Sequence, residues 1–143
     1  MGVVDVLGLL AIAAACIGML YLASRIEPHW VARDGSRFLS TGQELDEFGR
    51  PAGRRREVRV RVDAEAGVLH ISRRSLARPA GALWRIASKS PNPPRGRVVY
   101  LLQRVDDVAA TGARGAEPVA QQMTLRLPAS SKVLGTLDGM LPA

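Results

Sequence analysis

The chain has 143 residues, 47% of them hydrophobic, and its 20 basic and 13 acidic residues give a net charge of +7. This length accommodates one small domain with a short additional segment, and the excess positive charge favours an anionic partner. The single cysteine excludes a disulfide framework and a cysteine-based metal site.

The first feature in chain order is an apolar run of 18 uncharged residues from Val6 to Ala23. As a helix this run spans about 27 Å, close to the hydrocarbon thickness of a bilayer. A cleaved signal peptide is disfavoured because the residues before the run include no Lys or Arg. A lipoprotein signal is disfavoured because no large aliphatic residue stands three positions before Cys16. We therefore predict an uncut transmembrane anchor over residues 1–24, in which Cys16 is an inert thiol.

Basic residues near the two ends of the anchor predict its direction. None precedes it, whereas Arg25, Arg33 and Arg37 follow it, and Tyr21 and Trp30 stand where aromatic rings meet a membrane interface. The positive-inside rule then predicts a single-pass protein of the cell membrane, with the N-terminus outside and the C-terminal domain in the cytoplasm. Small residues four apart predict a contact surface for a second membrane helix. They are Ala11, Ala14, Ala15 and Gly18.

Residues 25–35 read as a juxtamembrane linker and residues 36–143 as a β-rich domain. Glu57 to Val62 alternates three valines with two arginines and a glutamate, the period-two pattern of a strand with one buried face. Turn residues from Asp63 to Gly67 lead into a second alternating segment, Val68 to Arg73, so the two segments predict an antiparallel hairpin.

The remaining elements bring the predicted total to six or seven strands. Further strand candidates are Arg37–Thr41, Leu83–Ser88, Val98–Val105 and Met123–Leu127. Residues 98–102 are apolar on both faces and indicate a central or doubly covered strand. From Ser131 to Leu141 the apolar spacing predicts an amphipathic helix with Ser130 or Ser131 as its N-cap. The stretch Asp106 to Ala120 predicts a mobile loop.

Short antiparallel strands followed by one C-terminal helix resemble a pleckstrin-homology-like domain, in which bent sheets are closed by the terminal helix. The order of elements also resembles a group of small actinobacterial single-pass membrane proteins of unknown function. The resemblance rests on architecture and on the closing stretch Leu125 to Leu141. It implies a mainly β domain, a bent β-sheet or barrel closed by a C-terminal amphipathic helix.

Catalytic and metal-binding residues are scarce. His29 in the linker and His70 on the outer face of its strand read as exposed polar side chains, because their spacing offers no partner for a metal site or a triad. The acidic clusters at residues 44–47 and 106–107 read as solvated charge, and Gly112 to Gly115 lacks the lysine of a phosphate loop. We predict a non-enzyme with no catalytic residue, metal, cofactor or small-molecule substrate.

Positive charge is concentrated between Arg50 and Arg104, which hold 14 basic residues and three acidic ones. The predicted binding surface is the arginine-rich hairpin, for a protein partner or for the anionic inner leaflet of the bilayer. Its residues are Arg54, Arg55, Arg56, Arg59, Arg61, Arg73, Arg74 and Arg78. A nucleic acid is disfavoured because the hairpin has no aromatic residue for stacking. Three alternatives remain open: the patch only keeps the domain soluble, the protein is a subunit of a membrane complex held through its helix, or a pocket gathers His70 with acids distant in sequence and makes the protein an enzyme.

Overall fold

The computed structural model describes residues 2–26, 29–73, 81–105 and 121–143. The chain begins with helix α1, Val3–Arg25. Its segment Val3–Ala23 is long and apolar enough to cross a membrane, and none of that segment is buried within the protein. The apolar run thus forms the expected helix, with Cys16 exposed on its surface.

Among the residues described, seven antiparallel strands follow the helix. Their bounds are β1 Trp30–Val31, β2 Arg37–Leu45, β3 Arg56–Asp63, β4 Val68–Arg73, β5 Gly81–Lys89, β6 Arg97–Arg104 and β7 Gln122–Pro128. All six predicted strands are confirmed, most of them longer than expected, and β1 is a seventh within the predicted linker. The β3–β4 hairpin is also confirmed, with Val60 opposite Ile71 and a turn ending at Gly67, whose φ is 66°.

The sheet closes on itself because β2 pairs with two strands in succession. Its first part pairs with β3, from Arg37 opposite Arg61, and its second part pairs with β7, from Thr41 opposite Arg126 to Leu45 opposite Gln122. Strands β2 to β7 therefore form a closed six-stranded barrel, and β1 lies beside the start of β2 as an additional strand.

Two small residues of β2 lie at the seam of the barrel, the place where β2 passes from pairing with β3 to pairing with β7. Gly42 is buried where β2 pairs with β3 and β7 at once, and a Cβ placed there would stand 2.5 Å from Met123 Cε and 3.2 Å from Val58 Cγ1. The buried Ser40 hydroxyl donates a hydrogen bond to the Arg126 carbonyl across the seam. Only a residue without a side chain fits at position 42 without displacing core atoms.

The core fills the barrel with the inward side chains of all six strands, and the chain ends in the short helix α2, Leu134–Gly139. Val133 and Leu137 from this end of the chain belong to the core cluster. The helix is shorter than expected, and the predicted serine N-cap is wrong: Val133 occupies the N-cap position and no side chain caps it. Gly135 and Gly139 explain the short helix, since glycine costs about 1 kcal/mol relative to alanine in a helix. Closure of the barrel by this helix and the pleckstrin-homology likeness remain predictions.

Candidate functional site

The outer faces of β2, β3 and β4 carry two adjacent rows of side chains. Each row runs across the sheet, and the strand register determines which residues belong to it. In the first row Arg37 lies opposite Arg61, and Arg61 lies opposite His70. In the second row Leu39 lies opposite Arg59, and Arg59 lies opposite Ser72. Directly opposite residues have Cβ atoms about 4.5–5.5 Å apart, and like charges at that separation repel. The sheet therefore holds a concentrated positive surface.

A groove of about 560 Å³ follows these two rows. The lining side chains that determine its charge and its apolar surface are Trp30, Arg37, Leu39, Arg59, Arg61 and His70. Among the described residues that line it there is no acidic side chain. Arg59 and Arg61 are exposed, and within the described parts of the chain neither forms an ion pair with an acid. The groove combines positively charged side chains, an apolar floor at Leu39 and an exposed tryptophan. This combination suits a ligand that carries an anionic group beside an apolar part.

Trp30 forms one wall of the groove because β1 is fixed beside β2. It lies opposite Leu39 and leaves 56% of its surface exposed. The preceding residue, His29, anchors this strand through both ring nitrogens: Nδ1 lies 3.0 Å from the Leu39 carbonyl oxygen and Nε2 lies 2.8 Å from Ser131 Oγ. A carbonyl only accepts, so Nδ1 carries a proton and donates to Leu39, while the Ser131 hydroxyl, which can donate or accept, is the partner of Nε2. The expectation that His29 is an exposed polar side chain is wrong, since it is half-buried and joins β2 to the C-terminal segment.

The predicted arginine surface divides into separate places in the structure. Arg59 and Arg61 line the groove, whereas Arg54 and Arg56 are exposed beyond it. Arg73 pairs with Glu44. Arg74 and Arg78 lie outside the described residues, as do Asp106 to Ala120 and the glycines within that stretch. Arg37 and His70 complete the groove but were not predicted, because only the strand register shows that they adjoin Arg61.

Arg55 lies in a second, smaller cleft of about 210 Å³ at the seam. Thr41, Gln43, Thr124 and Arg126 share this cleft with it. Arg126 already has an interaction within the chain. The cleft therefore offers less uncommitted positive charge than the groove.

Buried polar contacts elsewhere in the barrel support structure. The hydroxyl of the fully buried Tyr100 donates to Asp138 Oδ1 at 2.6 Å, and Lys89 Nζ lies 3.0 Å from the same oxygen. The hydrogen bond from Tyr100, with the nearby Lys89, lowers the pKa of Asp138 despite some opposing desolvation. Burial, followed by the hydrogen bond to Asp138, raises the pKa of Tyr100. This cluster joins α2 to the barrel wall.

Within the described parts of the chain, the groove gathers no set of catalytic side chains. Across the described ranges no group of three or more His, Cys, Asp or Glu residues is arranged to hold a metal ion. His70 stands among arginines, and the described residues of the groove give it no carboxylate partner for general acid–base work. Binding of an anionic group is the chemistry that this arrangement supports best.

No family model, no curated protein and no solved structure matches the chain.

Proposed function

We propose that the protein is a membrane-anchored, non-catalytic interaction module. Its helix α1 holds the barrel at the surface of the cell membrane, on the cytoplasmic side, and the groove binds an anionic group presented by an acidic protein partner or by a membrane lipid. The observation that carries the proposal is the pair of rows in which Arg37, Arg59 and Arg61 adjoin an exposed Trp30 with no acid among the described lining residues.

The charge of the groove supports binding over mere solubility. Arginines that only keep a domain soluble are normally interspersed with acids. Here Arg37 and Arg61 lie opposite each other across strands, an arrangement that costs free energy unless an anion offsets the repulsion. On β3 the acids of this face, Glu57 and Asp63, lie towards the two ends of the strand, and Asp63 Oδ1 already accepts a hydrogen bond from the Ala66 backbone. Near Arg37 lies Asp34, whose carboxylate already accepts hydrogen bonds from the amide and the hydroxyl of Ser36.

A pair of matched variants tests the proposal. The groove variant replaces Arg37, Arg59 and Arg61 by glutamine, and the control variant replaces three exposed arginines outside the groove. Those three are Arg54, Arg85 and Arg95. Both variants lose the same charge. We expect the groove variant alone to lose partners that co-purify with the full chain from solubilised membranes, or to lose attraction to an anionic lipid surface. If the two variants behave alike in both measurements, the groove is not a binding surface.

The alternative is a subunit of a larger membrane complex held mainly through α1. One observation favours it: none of the segment Val3–Ala23 is buried within the protein, so its whole surface is open to another helix. The stripe of Ala11, Ala14, Ala15 and Gly18 lies on this helix. Replacing Val6 to Ala23 by an unrelated apolar span separates the two functions, because loss of partners favours the subunit and retention favours the groove.

A further inference from the structure

A short segment of the chain connects helix α1 to the groove. Its length limits how far the groove can lie from the membrane that α1 spans. Helix α1 ends at Arg25, and the groove wall begins at Trp30. Five residues reach at most about 17–18 Å even when fully extended. The headgroup layer of a bilayer adds roughly 5–8 Å on each side of the hydrocarbon. Trp30 is therefore always within a short distance of lipid headgroups, wherever the rest of the barrel turns.

The side chains of the groove match the two parts of an anionic phospholipid. Arg37, Arg59 and Arg61 suit a phosphate, since the planar guanidinium binds its oxygens in pairs. Trp30 and Leu39 provide apolar surface beside the charges, and tryptophan is the side chain that most readily resides at the boundary between headgroups and acyl chains. A peptide segment of acidic residues alone would use the arginines but would offer the exposed indole no apolar surface.

The orientation of Trp30 is fixed before any lipid arrives. His29 binds the Leu39 carbonyl and the Ser131 hydroxyl on either side of its ring, and the Ala32 amide donates to the Arg37 carbonyl at 2.8 Å. These bonds hold a two-residue strand against β2, and they bring the indole to the same face as Arg59. A preformed site loses less conformational freedom on binding.

From this placement we infer that the groove binds the headgroups of anionic phospholipids in the membrane that anchors the protein, with Trp30 inserted at the interface. The barrel then rests with the outer faces of β2, β3 and β4 against the bilayer. This inference rests on the proposed function and names its ligand.

The two tryptophans of the chain make the test specific. Trp30 is 56% exposed and Trp84 is 4% exposed, so acrylamide in water reaches the first and not the second. The full chain is reconstituted in nanodiscs of phosphatidylcholine alone and of an equimolar mixture with phosphatidylglycerol. We expect acrylamide quenching to fall by about half or more in the anionic discs, as the Trp30 ring leaves water. Lipids brominated near the headgroup should quench the same residue, and W30F should abolish both effects.

The matched variants distinguish lipid recognition from general attraction. In anionic discs, acrylamide should quench Trp30 of the groove variant as strongly as it quenches Trp30 of the wild type in neutral discs. Trp30 of the control variant should stay shielded from acrylamide in anionic discs. Salt at 1 M should restore quenching in the wild type, because screening then acts within about 3 Å. Equal quenching in the two lipid compositions, or equal loss of shielding in both variants, overturns the inference.

A further outcome separates this inference from the proposed function. If the groove variant loses a co-purifying protein but Trp30 in the wild type is insensitive to phosphatidylglycerol, the groove binds an acidic protein. The lipid inference then fails while the proposed function stands. If neither measurement depends on the groove arginines, both fail together.

Discussion

The Gly42→Ala substitution tests whether the barrel depends on a position without a side chain at its seam. The new Cβ would lie 2.5 Å from Met123 Cε and 3.2 Å and 3.4 Å from the two Val58 methyl groups. Carbon atoms in contact normally stand about 3.5–4.0 Å apart, so Met123 must move by roughly 1 Å in a packed interior. Met123 is 4% exposed, so the end of its flexible side chain can shift only among the packed atoms of the interior. We expect the free energy of unfolding to fall by about 1–3 kcal/mol, the usual cost of inserting one carbon into a packed core.

The assay is urea denaturation of the full chain in detergent micelles, followed by the fluorescence of the buried Trp84. With a slope of about 1–3 kcal/mol per molar urea, the midpoint should fall by roughly 1 M. The matched control is Gly135→Ala, since nothing lies within 4 Å of that added Cβ in α2, and it should stabilise by up to about 1 kcal/mol. In a Met123→Val background the cost of Gly42→Ala should shrink, because the contacting methyl is absent. If Gly42→Ala changes stability by less than about 0.5 kcal/mol in the wild-type background, the packing argument at the seam is refuted.

Three further outcomes concern side-chain contacts that fix the two ends of the barrel domain. Asp138→Asn should cost about 1 kcal/mol at neutral pH, discounted because 40% of the Asp138 side chain is exposed. The pKa of Asp138 is lowered in the folded state. The stabilisation by its carboxylate is therefore fully present above the unfolded-state pKa near 4 and is lost as the pH falls through the folded-state pKa. In denaturation curves the Asp138→Asn variant should accordingly match the wild type at low pH. Tyr100→Phe should cost a similar amount, and the double variant should cost less than the sum of the two, as a double-mutant cycle would show. His29→Ala should lower the free energy of unfolding by about 1–2 kcal/mol through the loss of two hydrogen bonds, and it should make Trp30 more accessible to acrylamide. Ser131→Ala should have roughly half that effect on stability. An unchanged accessibility of Trp30 in His29→Ala would contradict the anchoring role.

The sequence predicts those parts of the fold that depend on neighbours along the chain. The alternation of Val58, Val60 and Val62 with arginines is a local signal, and it predicted both the β3–β4 hairpin and its buried face. The length and apolar character of α1 are likewise local properties. A barrel was expected from the resemblance alone, and the pairing of β2 with β7 that closes it was not predicted, because it joins residues as distant in sequence as Thr41 and Arg126.

The candidate site was predicted only in part for the same reason. Arg59 and Arg61 were identified from the alternating pattern of the arginine-rich hairpin, but Arg54, five residues before Arg59, does not line the groove. Arg37 carries no local sign of its role, since its place beside Arg61 follows from the register of β2 on β3. His29 was assigned to solvent because its two partners, Leu39 and Ser131, are 10 and 102 residues away.

The pairing order of the strands has a consequence for how the chain reaches its final structure. Every pairing within the barrel joins strands that follow each other in sequence except β2 with β7, where residues 86 positions apart meet. The meander can accordingly grow hairpin by hairpin while it is being synthesised, at low cost in loop entropy. Until β7 arrives, the second half of β2 and the far side of β6 present unpaired backbone, which is a template for aggregation. Proteins truncated before Gln122 should therefore accumulate as insoluble material, and attachment to a bilayer would keep the unfinished chains apart.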